Sequence, residues 1–282
     1  MNNLLSVAVA LFGTLQLVGG CSLLVDASRP QCKSDGDCAA LGGDLAGTVC
    51  LESFCQASPR WGCLDSPAAA PPASGEFTLT FSIKDTVNRQ PKPGLNARLC
   101  RRLDLGCTEV VTPAGVTDAQ GSVSLKAPAG FDGYVRLEGG DVFPAMYFFN
   151  PPISKDLKDI SVSLSTFPVT GNIISLTGAS QKVDRGLVLA SVVDCVGGPA
   201  EGIKLSSSIL DAESKVFYAA NNLPSAIATE TDAVGYGGIV NVSPGPVTLS
   251  ATQSATGREI DRITVLVQAG MMSIVTLVAH GK

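Results

Sequence analysis

Residues 117–125 read Thr117-Asp118-Ala119-Gln120-Gly121-Ser122-Val123-Ser124-Leu125, and residues 231–239 read Thr231-Asp232-Ala233-Val234-Gly235-Tyr236-Gly237-Gly238-Ile239. In both, an aspartate three residues before a glycine marks a turn. The carboxylate bonds the backbone ahead of it, and the glycine takes a positive φ. After the first turn Val123 and Leu125 alternate with Ser122 and Ser124, the pattern of a strand that buries one face. The likeness spreads outward from these turns. Pro93-Gly94-Leu95-Asn96-Ala97-Arg98-Leu99 answers to Glu201-Gly202-Ile203-Lys204-Leu205. Ala127-Pro128-Ala129-Gly130 before Tyr134-Val135-Arg136-Leu137 answers to Ser243-Pro244-Gly245 before Val247-Thr248-Leu249. The two Thr-Asp pairs lie 114 residues apart, too long a period for a solenoid unit, so the repeat is a duplicated domain.

Other stretches carry the same period of two. Phe77, Leu79, Phe81 and Ile83 alternate with Thr78, Thr80 and Ser82, and Ile263, Val265 and Val267 do likewise. Gly and Pro total 47 of the 282 residues, which suits many turns and short strands better than long helices. The expected fold class is therefore all-β, with two tandem β-sandwiches over residues 76–165 and 186–282. A connector, 166–185, joins them, and Thr170–Thr177 within it is expected to form one short helix with Thr170 as its cap. The series Gly-hydrophobic-x-hydrophobic, Thr-Asp-x-x-Gly, then Pro-x-Gly before a strand resembles the carboxypeptidase-regulatory-like, or transthyretin-like, β-sandwich. That resemblance covers roughly 76–165 and 186–279 and implies a Greek-key (prealbumin-like) topology. On function it implies no more than an accessory, adhesive or spacer role.

The N-terminus reads as an address. Leu4 to Val18 is an apolar run broken only by Ser6, Gly13, Thr14 and Gln16, too short to span a membrane and suited to a signal peptide over residues 1–20. Leu17-Val18-Gly19-Gly20-Cys21 resembles the bacterial lipobox, which implies lipidation of Cys21, cleavage before it and a membrane anchor. Several acyl chains on one residue hold stably where a single chain does not, at about 0.8 kcal/mol per buried CH₂. By resemblance to the sorting rule of diderm bacteria, Ser22 after the cysteine points to the outer membrane. The alternative is a secreted protein cut nearby with Cys21 in a disulfide, which would leave an odd number of thiols.

Eight cysteines remain after Cys21, an even set suited to four disulfides. Cys32, Cys38, Cys50, Cys55 and Cys63 crowd into residues 21–64, where few apolar side chains exist to form a core, so cross-links must replace one. Interleaved bridges, Cys32 to Cys50 and Cys38 to Cys55, are expected. Cys100 and Cys107 would clip a loop, and by subtraction Cys63 would reach Cys195 and dock the module on the second sandwich. Zinc is the rival, but the module has no histidine and no C-x2-C knuckle. Asp35, Asp37 and Asp44 lack the ligand order of an EF-hand and read as turn carboxylates. Residues 65–75, rich in Pro and Ala, form a linker.

Nothing in the chain composes a catalytic device. His280 is the sole histidine and sits at the C-terminal end, where a base is poorly held. No cofactor motif or metal site is read, and no enzyme activity is expected. A net charge of −5 argues against nucleic acid, and Arg98, Arg101 and Arg102 read as a solvated strand face. Phe143, Tyr147, Phe148 and Phe149, within Phe143–Pro152, are the candidate binding surface; the alternative is that alternate residues of this run fill the first core. The expected function is a non-enzymatic binding or structural protein of the cell envelope, partnered by the membrane through its lipid and by an envelope protein or polysaccharide. An accessory subunit of an envelope transport or secreted-enzyme complex is the alternative.

Overall fold

The computed structural model describes residues 30–42, 45, 48–57, 60–66, 74–109 and 111–281. The signal-like run, Cys21, Asp44 and residues 67–73 of the linker lie outside the described residues. The N-terminal module holds helix α1 (Asp35–Leu41), the hairpin β1 (Thr48–Leu51) and β2 (Phe54–Ala57), and a 3₁₀ turn at Gly62–Asp65. The first half then gives β3 (Glu76–Asp85), β4 (Asn96–Arg101), β5 (Gly115–Val116), β6 (Ser122–Pro128), β7 (Gly133–Glu138), β8 (Ala145–Phe148) and β9 (Leu157–Leu164). Helix α2 (Phe167–Ser175) follows. The second half gives β10 (Gly186–Val193), β11 (Ile203–Ser207), β12 (Lys215–Ala220), β13 (Leu223–Ser225), β14 (Tyr236–Val242), β15 (Gly245–Gln253), β16 (Glu259–Val267) and β17 (Met272–Val278).

The duplicated motif folds the same way twice. Asp118 accepts from the N–H groups of Gln120 and Ser122 at 2.9 and 2.8 Å, and Asp232 accepts from Val234 N–H at 3.0 Å. Gly121 and Gly235 take φ of 70° and 64°. A Cβ on either would fall 2.4 Å from Ile83 O or 2.6 Å from Val192 O, so space as well as φ demands glycine. The threonine before each aspartate is buried and satisfies two backbone groups. Thr117 Oγ1 accepts from Leu95 N–H at 2.9 Å and donates to Lys92 O at 2.7 Å; Thr231 Oγ1 accepts from Ile203 N–H at 2.9 Å and donates to Ala200 O at 2.7 Å. Thr231→Val keeps the shape and orphans both groups. Urea unfolding is expected to show a loss of about 2 kcal/mol, the usual cost of stranding buried polar groups.

Strands of both halves merge in one nine-stranded sheet, ordered β13-β12-β14-β10-β17-β8-β7-β4-β5, while β6-β3-β9 and β11-β15-β16 form separate three-stranded sheets. The seam is a parallel pairing of β8 with β17, with Ala145 opposite Met272 and Phe148 opposite Val275. Successive strand residues face opposite sides, and the two cores divide along that alternation. Leu99, Val135, Leu137 and Ala145 join Leu79, Phe81, Val123 and Leu164 in one core; Tyr134, Met146, Phe148, Val188 and Val275 join Leu205, Val247, Ile263 and Val265 in the other. The two small sheets thus cover opposite faces of the long one. The sandwiches are present, joined edge to edge through shared strands.

Helix α2 corrects the expectation for the connector. It begins at Phe167 and is capped by Thr166, whose hydroxyl accepts from Val169 N–H at 3.4 Å; it ends at Ser175. Pro168 in the first turn explains the earlier start, since its fixed φ suits that turn and its missing N–H has no helical partner there. Thr170 is no cap: its hydroxyl lies buried, 2.7 Å from Ser165 Oγ.

Candidate binding cleft

The eight cysteines after Cys21 lie in four disulfides: Cys32–Cys50, Cys38–Cys55, Cys63–Cys195 and Cys100–Cys107. The sulfurs of Cys32, Cys38 and Cys55 lie within 4.8 Å of one another because two bridges sit side by side. Bonded in this way, they are not thiolate ligands. Asp37 turns its carboxylate onto the backbone, accepting from Lys33 and Ser34 N–H at 2.7 and 2.9 Å.

Cys63–Cys195 is reinforced by its neighbours. Arg60 Nε lies 2.6 Å from buried Asp194 Oδ2, and Cys195 N–H donates to Arg60 O at 2.9 Å. Burial alone would raise the Asp194 carboxyl; Arg60 and the N–H groups of Gly198 and Val196 outweigh it, so the group sits below the ordinary aspartate range. The sign follows from linkage. A depressed folded-state pKa contributes stability above the unfolded value, about pH 3.9, and loses it as pH falls through the folded one. Acid unfolding followed by circular dichroism is expected to show a weaker loss below about pH 4 in Asp194→Asn than in the native chain.

The aromatic run is not a surface. Phe143, Phe148 and Phe149 are 4%, 1% and 2% exposed, and only Tyr147 is partly accessible, its ring edge-on to Phe81 and Phe149, both at 5.8 Å. The reason lies in the seam. β8 is an interior strand covered on both faces, so Phe148 enters one core while Phe143 and Phe149 enter the other. Phe143, Phe148 and Phe149 therefore offer no ring face to a sugar.

Nor do the arginines form an open basic face. Arg98 pairs with Glu138, Arg102 with Asp132, and Arg101 Nε lies 3.2 Å from Glu109. His280 Nδ1 lies 2.7 Å from Val278 O and 3.6 Å from Asp261. Asp261 is already committed: it takes Asn150 Nδ2 at 2.6 Å, Arg262 N–H at 2.7 Å and Val278 N–H at 2.8 Å. No nucleophilic side chain bonds His280 among the described residues.

The shared sheet leaves one opening that local sequence reading missed. Over the second half, the face continuous with the first core has no three-stranded sheet upon it among the described residues. It is roofed by α2 through Ile173 and Ile174, leaving a cleft of about 600 Å³. Leu187, Leu189, Phe217, Tyr236 and Met272 form its floor. Gly238 belongs to this floor strand: a Cβ there would meet the Phe217 ring at 2.8 Å, so the glycine lets that ring lie across the strand. The rim carries Val87 and Leu223, 68% and 57% exposed, with Val234 and Arg89. The signal was present as apolar side chains in turn positions, at Val87 and Val234. A second, more polar cleft of about 720 Å³ separates the module from the second sandwich and is lined by Trp61, Glu201 and Glu230.

Fold and cleft together define the class: an all-β, disulfide-stapled sandwich protein with an apolar recess at the junction of its halves. The chain matches no protein-family profile and no curated protein. Among solved structures it is similar to the Bacillus anthracis TIE protein (13% identity, 73% of this chain, 34% of that chain, TM-score 0.24). It is also similar to GBS52, the minor pilin of Streptococcus agalactiae (14%, 72% and 95%, TM-score 0.24), and to the shaft pilin SpaA of Lactobacillus rhamnosus GG (12%, 74% and 99%, TM-score 0.22). The chain spans about a third of the TIE structure's length. At these scores the fold and the cleft stand on the chain's own geometry. No helix among the described residues is long and apolar enough to cross a membrane.

Proposed function

We propose that this chain is an exported, lipid-anchored protein of the bacterial cell envelope that binds or supports a partner and catalyses nothing. One observation carries the reading: every cysteine after Cys21 lies in a disulfide. Such saturation belongs to an oxidising compartment. The lipobox-like Leu17–Cys21 segment then supplies the anchor, and the two transthyretin-like units supply the accessory or adhesive body. Intact mass and non-reducing peptide mapping of the membrane-extracted protein test it. The expected product begins at Cys21, carries acyl chains and yields the four bridged peptide pairs. Recovery of a Met1-initiated chain with alkylatable thiols would sink the reading.

A further inference from the structure

The cleft beneath α2 has the chemistry of a ligand site. Native cores hold few voids larger than a water molecule, whereas ligand pockets run to about 300–1,000 Å³ with mostly apolar walls and a few placed polar groups. This cleft has the size and such walls. Tyr236 stands on its floor, where burial raises its phenol well above the ordinary tyrosine range, and its hydroxyl has no hydrogen-bond partner among the described residues. At the mouth, Asp85 fixes the turn by accepting from Val87 and Asn88 N–H at 2.9 and 3.1 Å, and it is paired with Lys92 at 3.1 Å. Arg89, on the same turn, has one hydrogen bond from its guanidinium, donated to Ser163 Oγ at 3.2 Å. No carboxylate faces it among the described residues, although Arg98, Arg102, Arg136 and Arg185 each have one.

An apolar floor with an exposed apolar rim selects against a sugar or a polar peptide, which would leave hydroxyls or amides unsatisfied on Leu187, Leu189 and Met272. A neutral hydrocarbon would leave the guanidinium idle. We propose that the cleft binds one long-chain alkyl carboxylate, its chain on Leu187, Leu189, Phe217 and Met272 and its head on Arg89. The planar guanidinium fork matches a carboxylate's two oxygens. The inference rests on reading the chain as a binding protein.

Calorimetric titration of the mature chain from residue 21, produced without its lipid, tests it with dodecanoate, dodecanol and dodecylphosphocholine, each below its micelle concentration. One dodecanoate per chain is expected to bind. Arg89→Ala should weaken dodecanoate about tenfold, the scale of a lost charge-assisted hydrogen bond, and leave dodecanol within twofold. Leu223→Asp, at an exposed rim position, should weaken both. Three results overturn the proposal: no saturable dodecanoate binding, equal losses for acid and alcohol in Arg89→Ala, or tighter binding of dodecylphosphocholine that ignores Arg89. Failure here leaves the envelope reading untouched, because that reading is decided by the mass of the mature N-terminus.

Discussion

The double variant Cys63→Ser/Cys195→Ser is expected to lose about 4 kcal/mol of unfolding free energy. The bridge closes a sequence separation of 132 residues, against 18 for Cys32–Cys50. The chain-entropy account makes stabilisation rise with the logarithm of loop length. Between these two bridges the difference is about 1.8 kcal/mol, so Cys32→Ser/Cys50→Ser should cost correspondingly less. Serine pairs leave no free thiol to scramble. The larger loss also reflects a docking surface, since Arg60–Asp194 and the Cys195 N–H to Arg60 O bond depend on the module staying in place. Urea unfolding of the two double variants measures both values. Equal losses would show that neither loop closure nor the docking contacts make this bridge worth more than Cys32–Cys50.

Phe148→Ala is expected to cost about 3–5 kcal/mol, the range for emptying a buried aromatic site. It should also shift the unfolding of the whole β structure in one transition. Phe148 belongs by sequence to the first half, yet its ring packs in the core of the second, beside Tyr134 at 5.0 Å. The seam adds a second tie: Asn150 of the first half donates to Asp261 and to Thr276 O of the second. Differential scanning calorimetry decides the point. Two separate peaks, with only the earlier one moved by the variant, would mean that the halves unfold independently despite sharing a sheet.

Much of this fold is legible where chemistry is local. The Thr-Asp-x-x-Gly turns report their own geometry, since carboxylate, threonine hydroxyl and glycine all act within a few residues or on one neighbouring loop. The alternation of Phe77 to Ile83 reports a strand with one wet face for the same reason. What escaped is non-local. A parallel pairing of β8 with β17 joins residues more than a hundred positions apart, and no side chain nearby announces it. Once the seam is known, Phe143–Phe149 reads differently: a near-continuous apolar run is what a strand buried on both faces requires. The same oversight hid the cleft, which exists because the long sheet outruns the small sheet packed on that face. Helix α2 starts earlier than Thr170 suggests for a smaller reason: Thr166 and Pro168 together form the stronger helix start.

The Cys63–Cys195 bridge also sets a mechanical path. A pull between the segment before Cys63 and the C-terminus crosses the sulfur bond and re-enters the backbone at Cys195, bypassing residues 64–194. The first sandwich, together with α2 and β10, lies off that covalent path and takes up tension only through non-covalent contacts, chiefly the pairing of β8 with β17 and the bonds of Asn150. Force entering ahead of Cys63 thus reaches the second sandwich first and passes to the other only across that seam.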